Sequence, residues 1–147
     1  MKVYSLDDDR KILKAFEGLR VADVSDGMDF VGLHDIGLVN PSILPLWKDT
    51  TSYTHRIIGI AVTVRYVPTQ QPPAGKRSEA DFDKWVGDFY NQRTPEPFVP
   101  LLREGSVVVI EEAPETDVGS IGSNNIMNWK LHGAVGVITS STCRDTD

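Results

Sequence analysis

Two runs of β-branched residues late in the chain, Ser106 to Glu111 and Ala134 to Thr139, constrain the fold more than any other feature. A Val/Ile run with no polar alternation is the pattern of a strand covered on both faces. Between the runs lie a glycine-bearing turn, Asp117 to Ser123, and a stretch from Asn124 to His132 that suits a short helix stopped by Gly133. Strand, turn, helix and strand in that order predict a βαβ unit, because parallel neighbours need a long crossover, and that crossover is right-handed. The fold class is therefore α/β, with a sheet that is at least partly parallel.

Upstream, Ile12, Leu13, Phe16 and Leu19 recur at helical spacing after the acidic triplet Asp7 to Asp9, which suits the positive end of a helix. A second helix is expected to open at Asp23-Val24-Ser25-Asp26, with Asp23 or Ser25 as its cap. Gly32 to Thr54 is loop-like, and Arg56 to Val67 predicts a long strand with Gly59 at a bulge or close approach. Pro68 to Arg77 has no core pattern. From Glu79 to Gln92, the residues Phe82, Trp85, Val86, Phe89 and Tyr90 share one helical face, a stripe that predicts core packing rather than a platform for stacking bases. Pro95, Pro97 and Pro100 then hold the chain extended up to the turn at Arg103-Glu104-Gly105.

The 147 residues fit one domain, and 40% hydrophobic residues suffice for a core without a disulfide. Fifteen basic against 21 acidic residues give a net charge of −6, which disfavours direct binding to a nucleic-acid backbone. The single cysteine, Cys143, forms no intrachain disulfide, and with His34, His55 and His132 far apart the usual zinc-finger spacings are excluded. No apolar stretch approaches the ~20 residues of a membrane helix, and the acidic start is unlike a secretory signal. The expectation is a cytoplasmic protein without a membrane partner.

A Gly-x-x-Gly turn opening a helix presents unpaired N–H groups and the positive end of the helix dipole, a ready anion site. Gly119-Ser120-Ile121-Gly122 is neither the dinucleotide fingerprint nor a P-loop, since no Lys-Ser/Thr follows. A tight left-handed turn without a ligand is the other reading of this segment. Arg144-Asp145 follows the second strand, at the sheet edge where ligands gather in open α/β folds. A guanidinium fork matches a carboxylate, and an aspartate gives Mg²⁺ or Mn²⁺ a hard oxygen. Taken alone, the dipeptide also reads as a surface ion pair.

Three segments resemble the RraA-like family, which includes 4-hydroxy-4-methyl-2-oxoglutarate aldolases with oxaloacetate decarboxylase activity. Ala22-Asp23-Val24-Ser25-Asp26-Gly27 is similar to its A-D-V-S-D-A segment, and Gly59-Ile60-Ala61-Val62-Thr63-Val64 to its G-P-A-V-T-V strand. The block from Gly105 to Asp145 resembles G-D-V-V-V-V, a G-x-x-G-[DE] turn, a helix, G-x-x-G-x-V and a terminal R-D. The resemblance implies a swivelling β/β/α fold with a mixed, partly parallel central sheet. It further implies assembly as a homotrimer or hexamer with active sites between subunits. Residues 1–147 then form a single domain that ends before the family's last strands and helix, with 68–100 as an insertion.

The same resemblance implies a divalent-metal-dependent lyase acting on a pyruvate-derived oxo-acid. Amides of Gly119, Ser120, Ile121, Gly122 and Ser123 would bind the substrate carboxylate, Arg144 would contact the oxo-acid, and Asp145 would hold Mg²⁺ (or Mn²⁺). Arg144 and Ser123 are the implied catalytic residues. Retro-aldol cleavage and β-decarboxylation both leave a pyruvate enolate, whose charge a metal and a guanidinium stabilise. No Schiff-base lysine is needed, and Lys130 reads as a solvated helix residue.

Two departures stand out. Ser123 replaces the family's acid, which anchors metal-bound water, and Ser140-Ser141 replaces its Asp-Gly. The alternative reading is accordingly a non-catalytic, protein-binding regulator of ribonuclease activity, for which a charge of −6 suits docking on a basic partner. Phe30, Trp47, Tyr53 and Trp129 read equally as pocket lining or internal packing, and Cys143 flanks the site.

Overall fold

Val108 is fully buried and Val107 nearly so. Successive strand residues face opposite ways, so this strand is covered on both faces at its middle. The computed structural model describes residues 4–72, 74–113 and 118–145, and Asp117, the start of the expected turn, lies outside them. Among the described residues the order is α1 (Leu6–Phe16), α2 (Val21–Phe30), β1 (Ile60–Arg65), α3 (Glu79–Arg93), β2 (Ser106–Glu111), β3 (Gly119–Ile121), α4 (Ser123–Leu131), β4 (Ala134–Thr139) and β5 (Thr142–Cys143). A 3-10 turn at Val99–Leu101 precedes β2.

β2 is central in a three-stranded sheet of order β1-β2-β4, and β3 and β5 form a separate pair. Every pairing among the described strands is parallel, with Val62 opposite Val108 and Val108 opposite Val137. The expected βαβ unit is present: β2 leads through β3 and α4 to β4, its own neighbour. Trp129 of α4 and Phe98 meet edge to face at 5.5 Å over Val108, Ile110 and Ile121.

The start of the chain is tied down by charge. Ser5 and Asp8 form a reciprocal cap on α1. Asp9, only 1% exposed, pairs with Arg103 Nε at 2.6 Å, and Arg103 also donates to the Tyr4 carbonyl. At the far side of this junction Gly133 has φ +97°, and a Cβ there would lie 2.6 Å from the Arg103 and Glu104 backbone. Only glycine lets the end of α4 turn this close to the entry of β2.

Besides the proline segment, which closes in a 3-10 turn at Val99–Leu101 instead of staying extended, four expectations change. β1 runs from Ile60 to Arg65 rather than from Arg56 to Val67, because its ladder is only as long as β2, from Ser106 to Glu111. α2 opens at Val21: Asp23 is not its cap residue but reaches back to the Arg20 amide at 2.8 Å, and Arg20 holds its carboxyl down at about 2. β4 is an edge strand, half-covered rather than buried, with Val135 54% exposed. Finally, α3 forms as expected but buries no residue. Its Trp85 ring makes tilted contacts with Phe82 at 5.8 Å and Phe89 at 5.3 Å, and Arg77 lies 4.7 Å from the Trp85 ring. The stripe satisfies itself locally instead of joining the core.

The chain exposes 11720 Å². A compact monomer of this mass exposes roughly 7,500 Å² by the usual size scaling. Among the described residues, no helix is long and apolar enough to cross a membrane.

Gly133→Ala is expected to lower the urea midpoint at unchanged m, a loss of about 1–3 kcal/mol. A midpoint equal to the parent's would show that this junction tolerates a side chain.

Candidate functional site

The short β3–β5 ladder builds the site. Gly119 pairs with Thr142 and Ile121 with Cys143. The Arg144 amide donates to the Ile121 carbonyl at 2.9 Å, and the Ser141 hydroxyl donates to the Val118 carbonyl. These bonds lay Arg144 and Asp145 along the turn that opens α4.

Both glycines of the turn are there for space. A Cβ on Gly119 would come within 2.9 Å of the Arg144 Cβ, and one on Gly122 within 2.9 Å of Asp145 Oδ2 and 3.1 Å of Arg144 Nε. Gly122, with φ −116° and ψ 176°, is extended backbone that any residue adopts. A side chain at this position would therefore strain no backbone but would push aside the exposed ends of Asp145 and Arg144.

Asp145 has φ +58°, a left-handed conformation that short polar residues tolerate. The bend turns its carboxylate back on α4, where Oδ2 accepts from the Ser123 amide at 3.2 Å and from its hydroxyl at 3.4 Å. Ser123 is the first residue of α4, so a carboxylate of the chain itself occupies the anion position at the helix start. The other turn amides are also engaged: Ser120 N–H with the Val118 carbonyl, and Gly122 N–H with Asn125 Oδ1 at 3.1 Å. The Asn124 and Asn125 amides are the first-turn donors left over among the described contacts.

Gly119, Ser120, Ile121, Gly122, Ser123, Arg144 and Asp145 thus meet at one corner, though not all face it. Ile121 is 2% exposed and sends its side chain into the core. The Ser120 hydroxyl donates to Glu112, a residue not singled out from sequence, whose amide in turn donates to Ser140 Oγ at 3.0 Å. Its one sequence signal was position: an acid just past the end of a buried strand. Arg144 and Asp145 are exposed, and among the described residues Arg144 has no ion-pair partner.

Cys143 packs against the core, and burial pushes its thiol above the usual cysteine range. Such a shift leaves less thiolate and makes the group a weaker nucleophile. Lys130 is exposed, as expected. Of the four aromatics, Trp129 is internal and Phe30 is 93% exposed. Trp47 stacks on His55 at 3.8 Å and lines a groove of about 1180 Å³ along the free edge of β4.

Among the described residues there is no group of three His, Cys, Asp or Glu that could hold a metal. Asp145 with the Ser123 hydroxyl is an all-oxygen pair. Oxygen donors are the kind Mg²⁺ takes, which binds one or two carboxylates and completes its shell with water and ligand oxygens.

A family profile described as RraA-like, Aldolase/RraA, matches residues 21–147. The chain belongs to the RraA-like family. No curated protein and no solved structure matches it. The RraA-like match takes in α2, both sheets and the whole corner, so the fold expectation holds. The residues of the R-D and G-x-x-G motifs adjoin in space as well as in pattern.

Gly122→Ala is expected to leave the unfolding midpoint within about 1 kcal/mol of the parent, since its backbone accepts a side chain. It should nonetheless displace Asp145 and shift the Ser123 amide resonance. An unmoved Ser123 amide in that variant would refute the close packing of Asp145 on the turn.

Proposed function

We propose that this RraA-like protein is a cytoplasmic, divalent-metal-dependent lyase that breaks a C–C bond of a pyruvate-derived oxo-acid. The observation that carries the proposal is the convergence of Arg144 and Asp145 on the start of α4. Arg144, free of an ion pair among the described residues, offers a planar fork to the oxo-acid. The first-turn amides offer a place for the carboxylate next to the keto group. Asp145, with the Ser123 hydroxyl beside it, would hold Mg²⁺ or Mn²⁺, which when bound supplies Lewis-acid stabilisation of the enolate charge.

The two candidate reactions make different demands on these residues. Retro-aldol cleavage of 4-hydroxy-4-methyl-2-oxoglutarate needs a base for the 4-hydroxyl proton. Decarboxylation of oxaloacetate breaks the C3–C4 bond, releases CO₂ and needs only a sink for the electron pair, followed by protonation at C3. Ser123 stands where the family has an acid, and an uncharged hydroxyl is a poor base. Decarboxylation is therefore the reaction this site supports best.

Assembly as a homotrimer or hexamer fits the excess exposed surface, with Val21, Phe30 and Leu46 each at least 80% exposed. The second reading, a non-catalytic regulator docking on a ribonuclease, is supported by Ser123 itself and by the net charge of −6.

Incubation with oxaloacetate, following pyruvate with and without Mg²⁺, separates the readings. Metal-dependent turnover that falls by about 10²-fold or more in Asp145→Ala and in Arg144→Ala is expected. Turnover on 4-hydroxy-4-methyl-2-oxoglutarate should be the weaker activity. Full activity in Asp145→Ala would sink the site assignment, and inactivity of the parent with capture of a ribonuclease would favour the regulator.

A further inference from the structure

Glu96 lies outside every motif above, between Pro95 and Pro97 in the passage that follows α3. Both of its carboxylate oxygens are spent on α4. Oε1 accepts from Asn125 Nδ2 at 2.7 Å, and Oε2 accepts from Trp129 Nε1 at 3.0 Å. Asn125 and Trp129 are four residues apart, one helical turn, so a single carboxylate spans both. Phe98, packed on the Trp129 ring, keeps this segment against the helix.

The consequence reaches the candidate site. A side-chain amide has one donor end and one acceptor end. Because a carboxylate only accepts, Asn125 must turn its NH₂ toward Glu96, and its Oδ1 is then presented to the Gly122 N–H at 3.1 Å. The opposite orientation sets oxygen against carboxylate and NH₂ against N–H, losing both bonds. We propose that Glu96 is a positioning residue for the Gly122–Ser123 corner: its charge locks Asn125 in the one orientation that holds Gly122. The Ser123 amide and hydroxyl thereby stay aimed at the place where Asp145 and a ligand meet. The proposal rests on the lyase reading only for the identity of that ligand.

A glutamine at this position has the right size and the wrong polarity. Its NH₂ must face either Trp129 Nε1 or Asn125 Nδ2, both donors. Trp129 is 2% exposed, and an unsatisfied buried N–H is costly, so Asn125 is the group that turns over. Glu96→Gln is thus expected to quicken Gly122 amide hydrogen exchange by about tenfold in the ligand-free protein. The Ser123 resonance should shift, and KM for oxaloacetate should rise more than kcat falls.

Adding Asn125→Asp to Glu96→Gln restores a complementary set: the new carboxylate accepts from Gly122 and from the new amide, whose oxygen accepts from Trp129. The double variant is expected to recover parental exchange at Gly122. Gly133→Ala, which lowers stability at the opposite end of α4, serves as the control, with the Gly122 resonance in place. Unchanged Gly122 exchange in a folded Glu96→Gln protein, or a double variant no better than the single, overturns the proposal. The amide measurements decide it even in a protein that turns over no oxaloacetate.

Discussion

Parallel pairing of β2 with β4 is the constraint from which the rest of the architecture follows. Neighbours that run the same way cannot be joined by a hairpin, so the chain leaving β2 must cross the sheet before it can enter β4. α4 makes that crossing, and its first turn therefore lies near the edge at which β2 and β4 both end. Whatever emerges from β4 emerges beside the start of α4. Arg144 and Asp145 meet the Gly122–Ser123 turn for this topological reason, and the β3–β5 ladder fixes the contact in register. The glycines only remove the side chains that would otherwise hold the two segments apart.

The corner is satisfied by the chain's own groups. Asp145 sits on the Ser123 amide and hydroxyl at 3.2 and 3.4 Å, both long and exposed. Bonds of that kind contribute about 1 kcal/mol or less each. An ion or an anionic ligand competing for the same groups thus has little to displace. In the lyase reading this is useful, because the aspartate can leave the helix start without unravelling the fold. Its left-handed backbone supports the same view, since a residue there holds its place through neighbouring bonds rather than through its own preference.

Much of this was legible in the sequence, and the failures share one cause. The β-branched runs announced β2 and β4 because burial on both faces leaves a compositional trace, and β2 bears the trace out fully at Val107 and Val108. β4 carries the same composition but one of its edges is open, and composition does not distinguish an edge from a centre. For α3, periodicity correctly gave a helix with one apolar face, yet it could not say what would cover that face; Arg77 and the neighbouring rings do so in place of the sheet. The G-x-x-G and Arg-Asp segments were readable as motifs because each is local. Glu96 and Asn125 were not, since their bond joins residues 29 apart and neither has a pattern of its own.

Two acids stand at this edge of the sheet, and serines of one turn hold both. Ser120 donates to Glu112 and Ser123 to Asp145, on opposite sides of Gly122. A serine can satisfy a carboxylate without neutralising it, so the corner keeps its negative charge while Arg144 supplies the positive one. An arrangement that merely stabilised the fold would gain more by pairing Arg144 with either acid in a full salt bridge. Leaving the guanidinium without an ion-pair partner among the described residues forgoes that small gain at an exposed position. What it retains is a cation and an anion side by side, each with coordination to spare, at the start of α4. That combination suits a ligand that brings both an oxyanion and a metal-seeking keto oxygen, and an oxo-acid carries the two on adjacent carbons.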